Sequence, residues 1–198
     1  MKPPRVGKSR LRGAVDEAAH ADLVLALAAD TLTAAATVAR RILVVAADPA
    51  AVAPLRRLGV EITGDGGGAD LNTALRYGET LLRAADPASV IGALQADLPA
   101  LRAAELSAAL AEAGSARAFV ADAEGTGTTL LLSAPGGELA PRFGSGSARA
   151  HTESGANPLT APVPTLRRDV DTPRDLAAAE RLGLGRWTTA VLEERRVA

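Results

Sequence analysis

Apolar residues recur at helical spacing from His20 to about Val38, with Val24, Ala28 and Leu32 along one face, and predict an α-helix. Arg41 to Ala46 is instead a short β-branched apolar run, the pattern of a strand buried on both faces, and Val60 to Thr63 predicts a second strand. The glycine-rich segment Gly64-Asp-Gly-Gly-Gly68 follows, and Asp70 is placed to cap a helix running to about Arg83. Ser89 to Gln95 reads as another buried strand, delivering Asp97 just past its carboxyl end, and Glu105 to Ala113 as a helix closing at Gly114. Ala116 to Ala121 and Thr128 to Leu132 predict strands separated by a Glu-Gly-Thr-Gly turn. Gly144-Ser-Gly-Ser147 opens a short helix toward His151, and Pro164 to Arg168 predicts the last strand. Pro173 at a first helical position, with Thr172 and Asp175 in capping-box spacing, starts a further helix, and a C-terminal one is expected from Arg186 to Arg195.

Repeated alternation of strand and helix predicts an α/β fold in three layers, a mostly parallel sheet covered by helices on both faces. Ligands of such sheets sit beyond the carboxyl ends of the strands, where the polar and glycine-rich segments of this chain fall. No internal repeat, linker or low-complexity tail interrupts residues 1–198, so a single domain is expected.

Composition narrows the chemistry. The 198 residues carry 22 Lys and Arg against 23 Asp and Glu, a net charge of −1, which argues against a nucleic-acid partner. The chain contains no cysteine, which removes disulfides, thiolate metal sites and cysteine nucleophiles. His20 and His151 are the only histidines, so a three-histidine zinc site is excluded. Met-Lys-Pro-Pro-Arg at the start lacks the apolar core of a signal peptide, and Leu23 to Ala29 is too short to span a bilayer. A cytoplasmic protein without a membrane partner is expected; oligomeric state stays open, a homodimer included.

Individual motifs carry alternatives. Gly7-Lys8-Ser9 resembles the tail of a P-loop, but Lys2 stands where the first glycine belongs; a basic arm in solvent is the plainer reading. Gly64 to Gly68 misses the dinucleotide pattern at Ala69 and reads equally as a surface loop. Asp97 is either a helix cap or a magnesium ligand. Asp169 and Asp171 share one face of an extended segment, although Asp171 could merely cap the next helix. Mg²⁺ takes one or two carboxylates and completes its shell with water and phosphate oxygens, so carboxylates at two strand ends suit a metal–nucleotide site. Gly125-Thr-Gly-Thr-Thr129 and Gly144 to Ser147 are turns or, together, an anion pocket. His151 reads as a capping or core residue, because no serine or cysteine stands in a nucleophile-elbow pattern, and Trp187 as packing for the C-terminal helix.

Six segments in order then resemble one family: Lys2-Pro3 with Lys8-Ser-Arg-Leu11; Asp70-Leu-Asn-Thr-Ala-Leu75; Ala96-Asp-Leu-Pro-Ala-Leu101; Gly125 to Thr129; Phe143-Gly-Ser-Gly-Ser147 with His151; and Asp169-Val-Asp-Thr-Pro with Asp175-Leu176. Their order and spacing are similar to the guanylyltransferases of coenzyme F-420 biosynthesis, the 2-phospho-L-lactate guanylyltransferase family with its phosphoenolpyruvate-using bacterial members. The resemblance covers nearly the whole chain. It implies a nucleotidyltransferase fold, the GT-A-like Rossmann variant, and a reaction joining GTP to phosphoenolpyruvate or 2-phospho-L-lactate with release of pyrophosphate. It implies that Lys8 and Arg10 bind the GTP phosphates, and that Gly68 and Asp70, Leu71, Asn72 and Thr73 hold guanine and ribose. Asp97, with Asp169 or Asp171, would carry Mg²⁺, and Thr129, Gly144 and Ser147, neighboured by Thr128 and Ser145, the phosphoacid.

The absences agree with that chemistry. An acceptor phosphate is already an anionic nucleophile near pH 7, so positioning and charge neutralisation suffice. The alternatives are another acceptor such as 3-phosphoglycerate on the same fold, or a non-catalytic nucleotide-binding protein. One departure stands out: family members carry an apolar strand before the Lys-Pro segment, whereas Met1 here directly precedes Lys2. Loss of a central strand costs several kcal/mol, comparable to the stability of a domain. The 198-residue form is therefore expected to melt below a form extended upstream; equal melting temperatures would refute this.

Overall fold

The computed structural model describes residues 1, 11, 17–68 and 70–196; Lys8 and Arg10 of the expected phosphate contacts lie outside the described residues. The elements are α1 (Glu17–Ala35), β1 (Leu43–Val45), a 3-10 turn (Ala53–Leu58), β2 (Glu61–Thr63), α2 (Leu71–Ala85), β3 (Gly92–Leu94) and α3 (Ala103–Ala113). There follow β4 (Ala118–Ala121), β5 (Thr128–Leu132), α4 (Ser147–Glu153), β6 (Asn157–Pro158), α5 (Pro164–Arg167), α6 (Pro173–Leu182) and α7 (Arg186–Arg196). No described helix is long and apolar enough to cross a membrane.

β1 and β2 pair in parallel, with Leu43 opposite Glu61 and Val45 opposite Thr63. The second sheet has the order β3-β5-β4-β6. β5 runs antiparallel to both β3 and β4, and β6 parallel to β4. The strand pairing is thus mixed, as expected, but less parallel than expected: two of the four pairings among the described residues are antiparallel. The β4–β5 hairpin is the reason, since a connection this short can only return the chain antiparallel. Met1 lies along the free flank of β1: its N–H donates to Val45 O, and Ala47 N–H donates to Met1 O at 3.0 Å. Val45 and Ala47 point these groups away from β2, which takes the alternate ones through Ile42 O and Ala46 N.

Alternation along the strands feeds two helical layers. Ala118, Val120, Leu130 and Leu132 pack with Leu106 and Ala109 of α3 and Leu166 of α5. Ala93, Phe119 and Leu131 face the other way, toward Ala148 of α4 and Leu75 and Leu82 of α2. Helix α1 contributes to three clusters, through Ala35, through Ala28, Ala29 and Leu32, and through Leu23 and Leu27. The last of these also holds Leu11, Val170 and Leu176, and Leu11 is fully buried; Gly7, Lys8 and Ser9 of the expected arm lie outside the described residues.

Pro164 to Arg168, expected as a strand, is the one-turn helix α5. The cause lies in α3: Glu105 Oε2 accepts the Thr165 and Leu166 amides at 2.8 and 3.2 Å, a cap supplied from a distant segment. The capping box of α6 forms as its spacing predicts, Thr172 accepting from Asp175 N while the Asp175 carboxylate accepts from Thr172 N at 2.9 Å.

The docking of α7 on α1 rests on a buried carboxylate. Asp30 Oδ1 accepts Trp187 N–H at 3.0 Å and Oδ2 accepts Thr188 N–H at 2.8 Å. Gly185 passes so close that a Cβ there would overlap the same carboxylate. Trp187 packs as expected, its indole N–H on Thr33 Oγ1 and its ring in contact with the guanidinium groups of Arg57 and Arg186, 4.4 and 4.6 Å from its centroid. Removing the cap strands two amides, so Asp30→Ala should cost about 2 kcal/mol, and Gly185→Ala should destabilise by displacing Asp30. Urea unfolding measures both; midpoints equal to the parent's would contradict this account of α7.

Candidate active site

The carboxylates expected to hold a metal come from two distant segments that the backbone brings together. Asp97 follows β3, and its carbonyl accepts Val170 N–H at 3.0 Å, between Asp169 and Asp171. The next amide, Leu98 N–H, donates to Thr31 Oγ1 of α1 at 2.9 Å, and that hydroxyl donates to Leu27 O. Asp97 is 8% exposed. It does not cap α3, whose N-cap is Arg102. Asp171 does not cap α6 either, because Thr172 does. Among the described residues, no group of three or more acidic or histidine side chains is gathered as a metal cluster. The donors that Asp97 and the 169–171 segment offer are hard carboxylate oxygens, and Mg²⁺ shared with phosphates needs only one or two of them. The residues thus fit such an ion.

On the side expected to take the nucleotide, Asp70 caps α2: Oδ1 accepts Thr73 N–H at 3.0 Å and Oδ2 accepts the Thr73 hydroxyl at 3.0 Å. These bonds favour the charged form and hold the Asp70 carboxyl below its usual range. Gly68 belongs to a turn closed by Asp65, whose carbonyl accepts Gly68 N–H and whose carboxylate accepts Gly67 N–H. Leu71 is exposed at 47%. Asn72 does something its sequence position did not announce: both ends of its amide are spent on Phe143, Nδ2 donating to Phe143 O at 2.9 Å and Oδ1 accepting Phe143 N–H at 2.7 Å. It ties the start of α2 to the loop that leads into Gly144.

On the side expected to take the phosphoacid, the two glycine-and-hydroxyl segments behave differently. The 125–127 turn consumes its own amides, Gly125 N–H on Asp122 O and Thr126 and Gly127 N–H on the Asp122 carboxylate, and so is a turn and not an anion cradle. In the other segment Gly144 and Gly146 adopt φ of 142° and 71°, and Gly144, Ser145 and Gly146 are exposed. Ser147 is buried, and its hydroxyl donates to Thr128 Oγ1 at 3.2 Å.

A register slip aims Thr128. Val120 pairs with Leu130 but Ala121 pairs with Thr128, so Thr129 is an extra residue in β5. The bulge turns Thr128 toward α4, while Thr129, fully buried, has its hydroxyl on Val120 O at 3.5 Å and its carbonyl on Gln95 N–H at 2.9 Å. Gln95 stands two residues before Asp97, so the antiparallel β3–β5 pair sets the hydroxyl and carboxylate segments at one edge of the sheet.

His151 ties these parts together. It is fully buried, its ring edge-on to Phe143 at 5.2 Å and tilted against Phe119 at 5.7 Å. Nε2 accepts Arg142 N–H at 3.0 Å, and Nδ1 lies 2.9 Å from Thr128 Oγ1. Burial first, then the positive charges of Arg117 and Arg142, pull its pKa down to about 4. The core reading of His151 is thus right as to burial but missed its polar partners. The spacing of Ser147 and His151, four apart and on one helical face, was the available signal.

Comparison with known proteins identifies the family. Residues 1–178 match the family described as guanylyl transferase CofC like. A protein of Salinispora arenicola named phosphoenolpyruvate guanylyltransferase is 50% identical over 185 residues, 91% of this chain and 85% of the other. One of the same name from Streptomyces scabiei is 48% identical over 198 residues, 96% and 92% of the two chains. Another, from Mycobacterium leprae, is 47% identical over 199 residues, 97% and 91%. A crystal structure from Desulfovibrio desulfuricans G20, described as a nucleotide-diphospho-sugar transferase, superposes with a TM-score of 0.75 at 18% identity, covering 100% of this chain and 93% of that one. That likeness concerns fold alone, and the fold is the α/β nucleotidyltransferase type.

The depressed His151 pKa has a consequence for stability. The unfolded chain takes up this proton near pH 6.5 and the folded chain only near 4, so between these values the unfolded state binds more protons. The contribution, on the order of 3 kcal/mol, is complete above pH 6.5 and lost as the pH falls to 4. Urea midpoints between pH 7 and 4.5 should therefore fall more for the parent than for His151→Gln; parallel curves would contradict a neutral buried imidazole.

Proposed function

We propose that this chain, which belongs to the CofC-like guanylyl transferase family and is a nucleotidyltransferase, joins GTP to phosphoenolpyruvate and releases pyrophosphate. The product would be an activated donor for the side chain of coenzyme F-420. The observation that carries the reading is the identity of about one half, across nearly the whole chain, with proteins named for that reaction.

In this reading a phosphate oxygen of the acceptor attacks the α-phosphorus of GTP. A phosphorus–oxygen bond forms there, the bond to the β-phosphate oxygen breaks, and pyrophosphate leaves with the electron pair. The acceptor phosphate is ionised near neutral pH, so no side chain has to remove a proton, in keeping with a candidate site built from carboxylates, hydroxyls and glycines. Gly68 and Asp70 to Thr73 would hold guanine and ribose. Thr129, Gly144 and Ser147, with Thr128 and Ser145, would hold the phosphoacid. Lys8 and Arg10 would bind the GTP phosphates; Leu11, the next residue, shares a core cluster with Val170, which stands between Asp169 and Asp171. Asp97 with Asp169 or Asp171 would hold Mg²⁺, which when bound offsets the negative charge of the phosphates.

The test is pyrophosphate release from GTP and Mg²⁺ with phosphoenolpyruvate, 2-phospho-L-lactate or 3-phosphoglycerate supplied separately. Release with phosphoenolpyruvate is expected. Silence with all three from folded protein would overturn the reading. Asp97→Ala should lower turnover at least about a hundredfold, roughly 3 kcal/mol of barrier, with an unchanged circular dichroism spectrum. A folded variant of near-parental rate would remove Asp97 from the site.

A further inference from the structure

We propose that His151 is a positioning residue for the acceptor: with its proton on Nδ1, it fixes the Thr128–Ser147 hydroxyl pair and the loop ahead of Gly144 in the arrangement that receives the phosphoacid. The inference rests on the functional reading above for the identity of the ligand, and on the geometry of the imidazole for the rest.

A backbone N–H can only donate. Arg142 N–H is 3.0 Å from Nε2, so Nε2 carries no proton and must accept. The proton of the neutral ring is then on Nδ1, which donates to Thr128 Oγ1 at 2.9 Å. Ser147 donates to the same oxygen at 3.2 Å. Both lone pairs of Thr128 Oγ1 are thereby occupied, so toward the phosphoacid this hydroxyl can act only as a donor. The bulge at Thr129 is what turns Thr128 toward this network.

The same ring also holds the loop. Arg142 N–H goes to His151 and the next amide, Phe143 N–H, to Asn72, so consecutive amides are pinned from opposite sides just before the exposed Gly144-Ser-Gly146. The tilted contact with Phe119 and the edge-on contact with Phe143 hold the ring plane. Arg117 is spent elsewhere, its guanidinium donating to the carbonyls of Leu139, Ala140 and Ser154 and to the Ser154 hydroxyl. Arg117 and Arg142 are the charged groups acting on the imidazole, and both oppose its protonation.

Two substitutions separate the functions of the ring. His151→Gln can return an acceptor near the Nε2 position but no donor to Thr128. His151→Asn can return the donor near Nδ1 but not the acceptor. Pyrophosphate release should give His151→Gln a KM for phosphoenolpyruvate raised about tenfold or more, with the KM for GTP within about twofold of the parent. His151→Asn should recover most of the KM for phosphoenolpyruvate. Equal rises in both KM values, or a fall in kcat alone, would mean a merely structural residue and overturn the proposal.

The second measurement needs no activity. Nitrogen-15 shifts of His151 in the parent protein should show the Nδ1–H tautomer and no protonation above about pH 5. An Nε2–H tautomer, or titration near the ordinary histidine value, overturns the proposal whatever the kinetics. If the parent shows the Nδ1–H tautomer but releases no pyrophosphate with phosphoenolpyruvate, the functional reading has failed, and the acceptor role assigned to His151 fails with it.

Discussion

Helix α1 has almost no solvent-facing side, and much of the molecule is arranged around that constraint. From Leu23 to Leu32 every residue except Leu25 is buried, with strands, a 3-10 turn, α3, α6 and α7 drawing on it from different directions. Its alanines let these elements approach closely. A helix so enclosed has nowhere to hide a polar side chain, so each polar group must serve a neighbour. Asp30 serves the first turn of α7, and Thr31 receives the amide that follows Asp97. The candidate carboxylate is therefore placed by a hydroxyl in the middle of the core, and Val170 N–H, on the Asp97 carbonyl, fastens the 169–171 segment to it.

The edge of the sheet where these groups meet shows how a chain decides which amides remain for a ligand. Asp122 takes the amides of one glycine-rich turn, and His151 and Asn72 take those of Arg142 and Phe143. The exposed Gly144-Ser-Gly146 stretch lies immediately beyond these two pinned amides. Side chains spent on backbone amides thus shape the outline of the candidate site, because a buried amide without a partner costs more than the bond that satisfies it contributes.

The histidine at the centre of this edge is held in the form that a general acid would not use. Its surroundings favour the neutral ring across the physiological range, so it can orient hydroxyls but not deliver a proton from an imidazolium. That suits the proposed reaction, in which the nucleophile would arrive already charged. It also explains why a nucleotidyltransferase can be built from a chain with two histidines and no cysteine.

Local chemistry was legible in the sequence. The caps at Asp70 and Thr172, the strand within Arg41 to Ala46, most of the helices and the hydroxyl and carboxylate clusters follow from neighbours a few residues apart, and their ordered motifs identified the family. Contacts made across the fold were not legible. Pro164 to Arg167 became a helix because Glu105, in another helix, caps it; Thr128 turned because β5 carries an extra residue against β4; Asn72 became a strut because Phe143 lies against it. The sequence by itself determined most of the helices and strands and which residue types stand near the strand ends, since those depend on spacing along the chain. Tertiary structure alone decided that Asp97 meets Val170 and that His151 joins Thr128 to Arg142, because a hydrogen bond between distant residues depends on where packing leaves the backbone.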